Sequence, residues 1–163
     1  MAEHEGQPTE AAALLQLAAK LEAESSDGLA LLKNPKDNPI CSIFVDENIP
    51  CVMVVWKRYA TSTQLRFVHE NIIDLLRKHG LTKIIGDDTD LPTIHQEDQS
   101  WIVNNWMPRA VSAGLRAAAN KVPAAHFGRI SVDSVKSAMS SNILMCSFED
   151  IDEARKWIRN VDR

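Results

Sequence analysis

From Cys41 onward, short β-branched runs alternate with amphipathic segments that carry their own start and stop signals. Few folds accommodate that alternation. Ile43 and Val45, then Cys51 to Trp56, follow period 2 around Asp46-Glu47-Asn48, with Pro50 at a strand start, which predicts a strand–turn–strand hairpin. Thr82 to Gly86, Leu115 to Val122 and Ile143 to Ser147 predict three further short strands, with helical patterns between them. The order is ββαβαβαβα. It predicts an α/β fold with a single mixed, mostly parallel sheet of about five strands and flanking helices, because strand–helix–strand units give parallel neighbours.

The helical segments differ in how sharply they are marked. Thr61 and Gln64 make a capping box, and Leu65, Val68, Ile72, Leu75, Leu76 and His79 line one face. Arg77, Lys78 and His79 suit the negative end of the helix dipole, and Gly80 supplies the left-handed stop. Thr93 with Gln96 forms a second box, for a helix running to about Trp106. Pro108 predicts a break, followed by a short helix that Gly114 ends. Val132, Val135 and Met139 mark another helix. Asp150 and Glu153 cap a last one, with Ala154, Trp157, Ile158 and Val161 facing inward.

Residues 1–38 read as an acidic arm with an amphipathic helix, and residues 39–163 as the α/β domain. Leu14, Leu17, Ala18 and Leu21 form the helical stripe, which is marginal alone in water. It docks on its own body, pairs with another copy or frays. Residues 1–30 hold six acids against Lys20, a net of −5, leaving about +1 for the rest of a chain whose total is −4. Nucleic acid needs a clustered basic face, so that partner is not expected. No apolar run reaches the roughly 18–20 residues of a membrane span. The acidic start is unlike a secretory signal, so a cytoplasmic setting is expected. Cys41, Cys51 and Cys146 sit singly in apolar runs and read as reduced thiols, with a Cys41–Cys51 pair across the hairpin as the alternative.

The element order resembles the STAS fold, the small α/β domain of bacterial anti-sigma-factor antagonists. The motifs resemble a STAS-like family of small bacterial proteins more closely. They are Val54-Val55-Trp56-Lys57, Glu97-Asp98-Gln99-Ser100-Trp101-Ile102, and Trp106-Met107-Pro108-Arg109-Ala110-Val111-Ser112-Ala113-Gly114-Leu115. Phe127-Gly128, Ser131-Val132, and Phe148 through Ala154 to Trp157-Ile158 complete the set, over roughly residues 40–160. The resemblance implies a regulatory, protein-binding domain. The best-known STAS members are phosphorylated on a Ser or Thr at a helix start after a strand ending in Asp. Here Thr89 and Thr93 are the hydroxyls in Gly86 to Thr93, and phosphate would meet Asp87, Asp88 and Asp90. Thr93 is the switch candidate, against a plain capping role. Some STAS-like proteins are thought to hold lipid or nucleotide ligands.

Asp87, Asp88 and Asp90 lie beyond a strand's carboxyl end, where open α/β sheets bind ligands, and are the candidate divalent-metal site. Their plainer reading is a solvated loop. His95 with Asp88 is a candidate acid–base pair without a nucleophile beside it. An enzyme built on Asp87, Asp88 and His95 with a metal ranks last. Trp101 and Trp106, five apart, are about 140° apart on an ideal helix, so one is expected inside and one outside. With Met107 and Phe127 they form a candidate partner face or pocket rim, or pack in the core. Arg109, Arg116, Lys121 and Arg129 lack a glycine-rich phosphate loop. The leading expectation is a non-enzymatic interaction module without a cofactor. It docks a protein partner through Asp87 to Pro108, and its N-terminal helix serves docking or homodimer formation. The alternative is a small-ligand carrier or sensor, lipid or nucleotide, with a pocket near Asp88, His95 and Trp101.

Overall fold

The computed structural model describes residues 30–33, 39–92, 94–121 and 143–161. The expected N-terminal helix, the helix of Val132, Val135 and Met139, and Thr93, Phe127 and Arg129 lie outside them. The described chain is an α/β fold around one mixed sheet. Its strands are β1 (Ala30–Lys33), β2 (Pro39–Asp46), β3 (Cys51–Trp56), β4 (Lys83–Asp87), β5 (Ala117–Lys121) and β6 (Leu144–Phe148), side by side in chain order. β1–β2 and β2–β3 pair antiparallel, and the other three neighbours pair parallel. The sheet therefore has one strand more than the sequence signals. The extra strand, β1, lies inside the segment assigned to the arm, so the sheet starts before residue 39.

The helices are α1 (Ser62–His79), α2 (Gln96–Trp101), α3 (Met107–Ser112) and α4 (Ile151–Asn160). Two of the end signals read from sequence hold in detail. In α1, Gln64 N donates to Thr61 Oγ1 and Thr61 N donates to Gln64 Oε1, and Gly80 closes the helix at φ 61°. In α4, Asp150 Oδ1 accepts from the backbone N–H groups of Asp152 and Glu153.

Strand parity divides the apolar residues into two cores. Val52, Val54, Trp56, Ile84 and Ala118 face α1 and the α2–α3 run. Cys51, Met53, Ile85, Ala117 and Ala119 face α4, where Ala154 and Ile158 are fully buried. Each large aliphatic side chain sealed this way contributes about 1.5–3 kcal/mol of burial. Parity also rules out the thiol pair. Cys41 lies opposite Trp56 and Cys51 opposite Asp46, which puts the two sulfurs on opposite faces, and both are free and buried. Asp46 accepts from Asn48 N and Ile49 N, closing the hairpin, and takes an ion pair from Arg155 of α4 at 2.7 Å.

The expected break at Pro108 does not occur. α2 passes into a π-helical turn, Ile102–Trp106, and then directly into α3, with Pro108 in the first turn of α3. The Met107 N–H reaches back five residues to the Ile102 carbonyl. A wider turn just before the proline lets the helix continue where a strict α-turn would meet the ring. α2 itself begins two residues later than the capping box suggests. His95 stands at the cap with no side-chain bond to the helix N–H groups, and Gln96 is the first helical residue. No helix of the described residues is long and apolar enough to cross a membrane.

Candidate functional site

A cavity of about 110 Å³ lies between the sheet, α1 and the α2–α3 run. Its walls come from β3 (Val54, Trp56), β4 (Ile84, Gly86), β5 (Ala118, Asn120), α1 (His69, Ile72) and the helical run (Ile102, Trp106, Met107). Two of the wall residues on the central strands, Gly86 and Ala118, are small. Their missing side-chain volume leaves room that a Val or Ile would fill.

The polar end of this cavity is at the carboxyl ends of β4 and β5. Asp88 follows Gly86 by two residues, so strand parity turns both toward the cavity, and Asp88 is only 4% exposed. Asn120 Nδ2 donates to its Oδ2 at 2.6 Å. No hydrogen bond reaches Oδ1 from any described residue, and Oδ1 is not sealed off by protein. Burial pushes the Asp88 carboxyl up to about 7, with the Asn120 bond pulling the other way and Asp87 adding repulsion. Glycine at 86 leaves room for this pair. A Cβ there would stand 2.9 Å from Asn120 Nδ2 and 3.5 Å from Asp88 Oδ1.

His69 closes the opposite wall. Its Nδ1–H donates to the Leu65 carbonyl at 2.8 Å, and burial lowers its pKa to about 4, so the ring is neutral around pH 7. Trp101 and Trp106 both meet this ring edge-on, at 6.1 and 4.9 Å between centroids, and Trp106 Nε1 donates to the His69 carbonyl at 2.6 Å. The inside–outside split expected for the two tryptophans is absent. The π-helical turn between them brings residues five apart to the same side, against α1. Arg66 and Arg109 lie over Trp101, at 5.1 and 5.9 Å from the ring centre, while Arg66 pairs with the buried Asp98 and Arg109 with Glu70.

The sequence candidates therefore separate. Asp88, Trp106 and Met107 meet at the cavity, with Trp106 and Met107 only 4% and 5% exposed, so they offer little surface to a protein. Trp101 packs on His69 without lining the cavity. His95 is at the surface, its Nε2 2.9 Å from the Tyr59 hydroxyl, and is hydrogen-bonded away from Asp88. Asp87 Oδ1 accepts from Thr89 N and Oγ1, and no group of three potential metal ligands forms among the described residues. Thr93 and Phe127 lie outside the described residues.

Two members of the site, His69 and Asn120, were not singled out from sequence. His69 was findable, since it sits four after Leu65 and three before Ile72, on the apolar stripe of α1. Asn120 carries a weaker signal, a carboxamide two residues after Ala118 on the same strand face. The fold and cavity define an α/β protein with a small apolar chamber holding one buried acid at its strand ends. No known family model matches the chain, and no curated protein matches it either.

Proposed function

We propose that this protein is a non-enzymatic binding module, a carrier or sensor, for a small ligand held in the cavity beneath Asp88. One observation carries the reading: an apolar chamber ends at a buried carboxyl group, one oxygen of which takes no hydrogen bond from any described residue. Apolar walls with a few convergent polar atoms are the usual make-up of a small-molecule site. An engineered cavity of about 150 Å³ is large enough for benzene, so about 110 Å³ suits a small molecule or the terminal group of a longer one. Catalysis is not favoured, because among the described residues neither Asp88 nor His69 has a nucleophile as a hydrogen-bond partner.

Native mass spectrometry of freshly purified protein tests this. A discrete excess mass that disappears on denaturation is the expected result, and a bare polypeptide mass across several preparations would remove the reading. Trp56 and Trp106 line the cavity, so emptying it should also change tryptophan fluorescence.

A regulatory, partner-binding role of the STAS-like kind is the second reading. It draws on Tyr59, 44% exposed, which is hydrogen-bonded to His95 on the surface. The STAS-like kinship, a cytoplasmic setting and self-association through the Leu14 to Leu21 stripe belong to the same proposal. Replacing both Tyr59 and His95 with Ala should weaken a complex formed through this patch and leave cavity occupancy unchanged. The patch would be discarded if complex formation survived intact.

A further inference from the structure

We infer that the ligand of this cavity is a small organic ammonium ion, its alkyl body against the apolar walls and its charged head at Asp88 Oδ1. The inference rests on the ligand-binding reading above and specifies its chemistry. An ionised carboxylate has about four lone-pair sites, and here one Asn120 N–H occupies one of them. A buried charge with so few partners is costly unless an opposite charge joins it.

No such charge is supplied among the described residues. The residues around the cavity include no Lys or Arg. On the strand that leads to Asp88, Asp87 adds negative charge. Cys41 of β2 senses Asp88 and stays a neutral thiol, since burial raises its pKa, while Lys57, which lies near that thiol, is exposed. Asn120 of β5 is neutral, and so is His69 of α1 around pH 7. Ile102, Trp106 and Met107 from the helical run and Met145 of β6 bring no charge. Among the described residues the acid thus has no counter-ion, and it is walled by Trp56 and Trp106, whose indole rings are the aromatic groups best suited to a neighbouring cation. A neutral guest would leave the charge unmet, and an anion would add to it.

Calorimetric titration of the whole protein with n-butylammonium, n-butanol and n-butyrate separates these cases, because the three share size and differ in charge. An alkylamine stays protonated to about pH 10, as a lysine does. Between pH 6 and 8 the ionised fraction of a carboxyl titrating near 7 rises about tenfold. Butylammonium affinity should therefore rise about tenfold over that interval, butanol should bind more weakly with a flat profile, and butyrate should bind weakest. Asp88→Asn should lower butylammonium affinity at pH 8 by at least about tenfold and flatten its profile. The wild-type profile needs no variant, so the test survives a variant that does not fold. Butanol binding as tightly as butylammonium at pH 8, or an amine affinity that does not rise with pH, overturns the inference and leaves a neutral-ligand site. If none of the three binds, the ammonium ion is again excluded. The broader ligand-binding reading then stands or falls on the mass measured for the protein as purified.

Discussion

Asp88 and His69 bind and lose protons in opposite senses, and the pair makes a prediction that neither makes alone. The folded Asp88 carboxyl, at about 7, lies above its unfolded value, so between about pH 4 and 7 the native state holds a proton that the unfolded chain has lost. Stability from this group therefore falls as pH rises, by an amount on the order of 4 kcal/mol across the window. His69, at about 4, lies below its unfolded value, so between about pH 4 and 6.5 the unfolded chain holds the extra proton. Its contribution rises with pH, by roughly 3 kcal/mol. The two slopes oppose each other over most of the range, and the wild type should show little net pH dependence from them. Asp88→Asn should expose the rise between about pH 4 and 6.5, and His69→Gln should expose the fall between about pH 4 and 7. Urea unfolding of the three proteins at half-unit steps of pH checks this. Parallel curves would mean that the two groups are not shielded as the cavity walls imply. Gly86→Ala belongs to the same scale. Its Cβ would press on Asn120 Nδ2 at 2.9 Å, so the Asn120–Asp88 bond should lengthen or break and ligand affinity should drop several-fold. Unchanged affinity would show that Asn120 can withdraw without consequence.

At the scale of elements, the helices with explicit end chemistry were the ones legible in advance. The Thr61–Gln64 box and Gly80 bound α1, and Asp150 opens α4, because those signals are local and satisfy backbone groups that nothing else reaches. Thr61→Ala should cost about 1 kcal/mol and Asp150→Ala a similar amount, read from chemical denaturation. Where the outcome depended on packing, the sequence was a poorer guide. Ala30–Lys33 has no period-2 alternation, and it becomes a strand only because β2 offers it an edge. Pro108 reads as a break, yet the π-helical turn at Ile102–Trp106 carries the helix past it and turns both tryptophans onto His69. Since that turn already accommodates the ring, Pro108→Ala should change stability by less than about 1 kcal/mol, well short of the roughly 3 kcal/mol that relieving an interior helical proline would return. A gain near the larger figure would mean that the proline still strains the helix. The candidate site was legible in part. Asp88 was readable from its place after a strand, whereas the chamber beneath it is a volume left over by Gly86 and Ala118, which no linear pattern records.

For the whole molecule, the sheet divides two unequal environments, and neighbouring residues on β5 report the difference. Ala118 faces the cavity on the α1 side. Ala119 faces α4, is fully buried, and packs in the core that holds Ala154 and Ile158. The same substitution should therefore have opposite consequences at adjacent positions. Ala118→Val adds two methyl-sized groups where empty space exists, gains about 0.8 kcal/mol for each carbon buried, and suits a strand. It should hold or raise the melting temperature while reducing cavity occupancy. Ala119→Val adds the same atoms where none fit, at a cost of about 1–3 kcal/mol. A chain of this length loses about 2–4 °C for each kcal/mol, so its melting temperature should fall by several degrees. Thermal unfolding of the two variants, followed by native mass spectrometry of the more stable one, measures both effects. If Ala118→Val melted as early as Ala119→Val, the α1 side would be as tightly filled as the α4 side, and the chamber would have no room for a guest. Retained stability with lost occupancy would instead separate the space that serves binding from the packing that serves the fold.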